Sequence, residues 1–190
     1  MRLALVRHPL PAIAAGLCYG STDLPLASGA LQQCLPQVEA ILLGKIPADA
    51  MLWSSPLQRA AHFAQALALA RRQDIVQYDV RLAEMDFGSW EMCHWDAIER
   101  GEVDAWADNV LDYAPGGAET VLQMTQRVLG FIQHLRESPL ASSGAIVVCH
   151  AGVMRIVRAY QASLNLREIG LLAAQDMRKI AYGEVVWKEI

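Results

Sequence analysis

Leu3-Ala4-Leu5-Val6-Arg7-His8-Pro9 is an apolar run that ends on a cation and an imidazole, and the arrangement returns far along the chain as Val147-Val148-Cys149-His150. Short, continuously apolar runs of this kind read as strands buried on both faces, as in a parallel sheet covered by helices. Each delivers a histidine at its carboxyl end. A third apolar stretch, Met51-Leu52-Trp53, runs into Ser54-Ser55-Pro56-Leu57-Gln58-Arg59, where Pro56 suits a first helical turn that also contains Arg59. Ligands of open parallel sheets bind beyond the carboxyl ends of the strands. Arg7, His8, Arg59 and His150 are therefore expected in one cluster, two fixed cations beside two imidazoles, a set suited to phosphate.

Working outward, residues 2–6, 51–54 and 145–149 read as strands, with a brief strand near Ile75-Val76. The stretch from Pro9 to Pro25 is a long loop, and loops of that length are usually functional. Ser28 is expected to cap a helix through about Leu43 that Pro36 kinks or splits. A second helix carries Ala60, Ala61, Phe63, Ala64, Leu67 and Ala68 at helical spacing. Arg81 to Trp95 mixes acids, aromatics and Gly88 without a clean period and reads as a structured loop. The clearest helix spans about Glu119 to Arg136, followed by a connection from Ser138 to Gly144. A further helix begins after Gly152 with Val153, Ile156, Val157 and Tyr160, and alternation from Ile180 to Trp187 marks a last strand. Strands alternating with helices predict an α/β fold, a three-layer αβα sandwich with a mostly parallel central sheet, formed as a single domain over residues 1–190.

Composition narrows the partner. The chain has 190 residues, 54% of them hydrophobic, and a formal net charge of −4. That balance argues against a nucleic-acid surface, so the arginines belong to a local site and the partner is a small molecule. No apolar run approaches the roughly 18 residues of a membrane span, and Arg2 followed by a strand replaces a signal-peptide pattern, so no membrane partner and a cytoplasmic location are expected. Cys18, Cys34, Cys93 and Cys149 show no paired spacing and are expected to be reduced thiols. Adjacent Cys93-His94 and Cys149-His150 lack metal-ligand spacing, and no metal or other cofactor is expected. Oligomeric state is left open.

Five ordered motifs carry more. Leu5-Val6-Arg7-His8, Tyr19-Gly20-Ser21-Thr22-Asp23-Leu24-Pro25-Leu26, Ser54-Ser55-Pro56-Leu57-Gln58-Arg59-Ala60, Leu82-Ala83-Glu84-Met85-Asp86-Phe87-Gly88-Ser89-Trp90-Glu91 and Val147-Val148-Cys149-His150-Ala151-Gly152 together resemble the histidine phosphatase, or phosphoglycerate-mutase-like, superfamily. The set covers most of the chain. Within that superfamily, Phe87-Gly88-Ser89-Trp90-Glu91-Met92 is similar to the run found in the α-ribazole phosphatases of cobalamin nucleotide-loop assembly.

The resemblance implies a phosphomonoesterase with a phosphohistidine intermediate, acting on α-ribazole 5′-phosphate. In that reading Arg7 and Arg59 hold the phosphate oxygens, His8 is the nucleophile, and His150 donates to the transferring group. Glu84 protonates the leaving oxygen, and Tyr19 and Gly20 contact substrate. By chemistry alone Asp86 and Glu91 rival Glu84; the family pattern selects Glu84, three residues before Phe87-Gly88. Most relatives carry Gly after the nucleophile and an acid or Gln next. Pro9 and Leu10 stand here instead, so polar contacts from those positions are expected to be absent, and Ala151 replaces a common Gly. Alternatives on the same scaffold are a broad-specificity phosphatase or a mutase-like enzyme, and, in another class, a catalytically silent phosphate-binding regulatory protein.

Overall fold

Alternation along the central strands builds the molecule. In β1 (Arg2–Arg7), Leu3 and Leu5 enter one hydrophobic core while Ala4 and Val6 enter another; in β4 (Ala145–Cys149), Ala145, Val147 and Cys149 join the first and Ile146 and Val148 the second. A strand with apolar residues on both faces must be covered on both. The computed structural model describes residues 1–139 and 143–190. It covers one face with α1 (Ala30–Leu42) and α2 (Gln58–Ala70), and the other with α4 (Val121–Glu137), α5 (Ala151–Ala159) and α6 (Leu166–Gln175). The sheet order is β3-β2-β4-β1-β5, with β2 at Met51–Ser54, β3 at Gln77–Tyr78 and β5 at Val185–Glu189. All neighbours are parallel except β5, which pairs antiparallel with β1. This is the predicted three-layer αβα sandwich.

Several boundaries differ from the sequence reading. Gly29, with a positive φ of 77°, precedes α1 and Ser28 makes no cap. The helix runs unbroken through Pro36. Pro36 and Gln32, whose carbonyl loses its partner, are both exposed, so solvent can serve that group. Pro56 lies just before α2. The brief strand falls at Gln77–Tyr78, two residues later than expected, because pairing with Trp53 and Ser54 decides it. Two helices were not anticipated, α3 (Arg100–Asp108) and α6; the latter opens on a capping box of Asn165 and Glu168 that the sequence does carry. Part of the connection from Ser138 to Gly144, residues 140–142, lies outside the described residues. None of the four cysteines is in a disulfide. Among the described residues no helix is long and apolar enough to cross a membrane.

Candidate active site

Three parallel strands end side by side. Arg7 is in register with Cys149, the His8 N–H donates to the Cys149 carbonyl at 3.0 Å, and the Ser55 N–H donates to the Val148 carbonyl at 3.0 Å. The next residues are therefore His8, His150 and Ser55. The two imidazoles are buried, with ring centroids 4.9 Å apart. His8 Nδ1 lies 2.6 Å from the Pro9 carbonyl oxygen. A carbonyl can only accept, so Nδ1 carries the proton and Nε2 presents a lone pair. Pro9 thus supplies its contact through the backbone, which no side-chain substitution removes. Burial, then the Arg59 and Arg7 cations, push the His8 pKa down to about 3 against the opposing Pro9 bond, so the ring is neutral near neutral pH. His150 is likewise held well below its ordinary value, by burial first and then by His8 and the arginines. Its Nε2 meets the Ser55 hydroxyl at 2.8 Å, and its Nδ1 has no protein partner.

The arginines flank this pair. Arg7 donates to the Ile180 carbonyl and lies over the Tyr182 ring, 4.0 Å from its centroid. Arg59 is fully buried in the first turn of α2 and donates to the carbonyls of Thr22, at 2.6 Å, and Gly20. Burial lowers its pKa, and the surrounding Glu84, Tyr19, Asp23 and Glu91 act in the opposite direction. A guanidinium has five N–H donors, so those two bonds leave Arg59 able to meet an oxyanion as well.

Partners separate the three acids. The Glu84 carboxylate lines the cavity and accepts from the Gly152 N–H in the first turn of α5 at 3.0 Å. Asp86 turns back to accept from the Gly88 N–H at 2.8 Å. Glu91 accepts from the N–H groups of Gly20, Ser21, Thr22 and Phe87 and from the Thr22 hydroxyl. Burial works to raise the Glu91 pKa, but those bonds outweigh it and hold the group below the usual carboxylate range. Neither Asp86 nor Glu91 lines the cavity.

That cavity has a volume of about 690 Å³ and takes in Arg7, His8, Tyr19, Arg59, Glu84 and His150 at one end. Gly20 is not part of its lining; a Cβ there would fall 1.9 Å from the Met85 carbonyl oxygen, and its backbone serves Glu91 and Arg59. Apart from Arg155, the rest of the wall is apolar, with Phe87, Trp95 and Trp106 in edge-on and stacked contact. Ser55, Tyr182 and Trp106 carry no assigned role in the sequence reading. Tyr182, whose hydroxyl meets that of Tyr19 at 2.8 Å, carried no readable signal, since only the fold brings residue 182 to residue 7. Among the described residues no group of three or more His, Cys, Asp or Glu side chains is placed to hold a metal ion.

A family model described as histidine phosphatase superfamily, branch 1, matches residues 3–180. The chain belongs to that superfamily. The phosphatase is 34% identical over 161 residues to the adenosylcobalamin/α-ribazole phosphatase of Escherichia coli strain K12, covering 83% of this chain and 77% of that protein. The Salmonella typhimurium protein of the same name is 32% identical over 162 residues with the same coverage. The crystal structure of the α-ribazole phosphatase from Shigella flexneri superposes with a TM-score of 0.79 at 28% identity, over all of this chain and 91% of that one. A mycobacterial glucosyl-3-phosphoglycerate phosphatase shares the fold, with a TM-score of 0.78 at 21% identity over 98% of this chain and 88% of that one.

Proposed function

We propose that this phosphatase hydrolyses α-ribazole 5′-phosphate through a phosphohistidine formed on His8. The observation that carries the reading is one cavity pairing a cationic, imidazole-lined end with an aromatic wall. Arg7 and Arg59 neutralise and orient the phosphate dianion, and the His8 Nε2 lone pair attacks phosphorus in line. As the N–P bond forms, the P–O5′ bond breaks and its electron pair leaves on the alkoxide, which takes a proton from Glu84. The ring gains positive charge, which the Nδ1–H bond to the Pro9 carbonyl stabilises. With the Ser55 hydroxyl donating to Nε2, His150 carries its proton on Nδ1 and directs it at a phosphoryl oxygen. Water then attacks phosphorus, Glu84 takes its proton, and Nε2 departs as inorganic phosphate forms.

The aromatic wall speaks to the substrate. Val103, Trp106 and Ala107 follow helical spacing along α3, yet α3 contains no buried residue, because this apolar face borders the cavity; Val110, just beyond, lines the cavity and packs against the core as well. An apolar face left open beside a catalytic centre is a place for an apolar ligand group. The flat dimethylbenzimidazole of α-ribazole is such a group, and relatives 34% and 28% identical to this chain are named for that substrate.

Burying a flat bicyclic base is worth about 1.5–3 kcal/mol, so kcat/KM for α-ribazole 5′-phosphate should exceed that for ribose 5-phosphate by about tenfold to a hundredfold. Trp106→Ala should remove most of that preference by raising the KM of the nucleotide, with ribose 5-phosphate little affected. Equal efficiencies in the wild-type protein would leave a broad phosphatase with no base subsite.

A further inference from the structure

Arg127 lines no part of the cavity, yet all five of its N–H donors converge on the segment that carries Glu84 and on the acid that helps to hold it. Nη1 donates to the carbonyls of Arg81 and Ala83 at 2.8 and 2.7 Å, and Nη2 to that of Glu84 at 3.2 Å. Nε and Nη2 form a forked pair with the Glu119 carboxylate at 2.6 and 2.9 Å. Glu119 grips the other side of the acid, since its Oε2 accepts from the Asp86 N–H at 3.2 Å and its own N–H donates to the Asp86 carbonyl at 3.1 Å. The pair is largely withdrawn from solvent, with side-chain exposures of 21% and 16%.

The chain from Ala83 to Phe87 belongs to no helix or strand, so no regular ladder fixes the direction of the Glu84 side chain. The helix α4 holds that backbone through Arg127 while the Gly152 N–H meets the carboxylate itself, and Thr120 anchors α4 with a capping box to Gln123. We propose that the Glu119–Arg127 pair is the positioning device of the leaving-group acid, clamping the backbone on both sides of Glu84 so that its carboxyl meets the departing oxygen. The proposal rests on the reading of Glu84 as that acid. Lysine cannot reproduce the clamp, because three donors on a flexible stem do not match five in a planar fork.

The test uses leaving-group chemistry. A sugar alkoxide needs its proton in the transition state, whereas p-nitrophenolate departs readily without one. Glu84→Gln should lower kcat/KM on ribose 5-phosphate on the order of a hundredfold or more, with a distinctly smaller loss on p-nitrophenyl phosphate. Arg127→Ala and Arg127→Lys should show the same asymmetry, with about a tenfold to hundredfold loss on the sugar ester, the scale of a misplaced reacting group. The Glu84→Gln/Arg127→Ala double variant should be no worse than Glu84→Gln, since both changes act through one group. Full activity in Arg127→Lys would mean that charge alone matters and would overturn the clamp. Equal losses on the two esters, or multiplying losses in the double variant, would reduce Arg127 to a structural residue. Symmetry in Glu84→Gln itself would instead remove the acid assignment, and the clamp with it. If Arg127→Ala does not fold, Glu119→Gln carries the same comparison, because it keeps one acceptor for the fork and loses part of the grip on Asp86.

Discussion

His8 is decided by one proton. Its Nδ1–H is committed to the Pro9 carbonyl, which leaves Nε2 as the only ring atom able to attack phosphorus, and burial beside two cations keeps that atom unprotonated down to about pH 3. A phosphoryl group on a ring nitrogen is labile in acid and stable in base. Brief incubation with a labelled phosphate ester followed by alkaline quench should therefore label the wild-type protein and leave His8→Ala blank, with turnover abolished. Labelling of His8→Ala at the wild-type level would move the nucleophile elsewhere. His150 cannot substitute: with the Ser55 hydroxyl donating to Nε2, its proton sits on Nδ1 and neither nitrogen offers a free lone pair.

At the scale of the element, the loop from Tyr19 to Leu26 behaves as a strap although it has almost no regular structure. Glu91 gathers the N–H groups at 20, 21 and 22, Asp23 caps the exposed start of α2 through the Gln58 N–H at 2.6 Å, and the carbonyls at 20 and 22 take Arg59. One loop thus fixes Arg59 and a helix terminus together. In Glu91→Gln a single amide oxygen replaces two carboxylate oxygens, and an NH₂ group faces N–H donors. Unsatisfied donors cost about 1–3 kcal/mol. The variant should melt at lower temperature and lose activity on sugar and p-nitrophenyl esters alike, because it loosens Arg59, which both esters need. An unchanged melting temperature would contradict the strap.

For the whole molecule, two buried neutral histidines tie stability to pH. Both ordinarily titrate near 6.5, while in the fold His8 falls to about 3 and His150 well below its usual value. As pH drops below about 6.5 the unfolded chain takes up protons that the native state refuses, so stability is complete above 6.5 and is lost progressively toward pH 3. The loss from His8 should be on the order of 1–2 kcal/mol by pH 5, and His150 adds to it in the same direction. Denaturant unfolding at pH 7.5, 6 and 5 should show a falling midpoint, and His8→Ala should flatten part of the slope. A midpoint constant across that range would mean that the native histidines accept protons.

What the sequence determined by itself is what local spacing encodes. Unbroken apolar runs marked β1, β2 and β4, helical periods marked α2, α4 and α5, and strand-end positions brought Arg7, His8, Arg59 and His150 forward together. Tertiary structure decided the rest. That β4 inserts between β1 and β2 follows from pairings across more than ninety residues, which no window of sequence contains. α3 carries Val103, Trp106 and Ala107 at helical spacing, but its nine residues are too short a window for that period to stand out, and that the apolar face borders a cavity is a fact of the folded chain. Glu84, Asp86 and Glu91 are near-identical carboxylates in one short segment. What distinguishes them is which N–H groups each one meets, and those belong to Gly152, Gly88 and a distant loop. Chemical type is written residue by residue, but the role of a charged group depends on its neighbours, and neighbours exist only once the chain has folded.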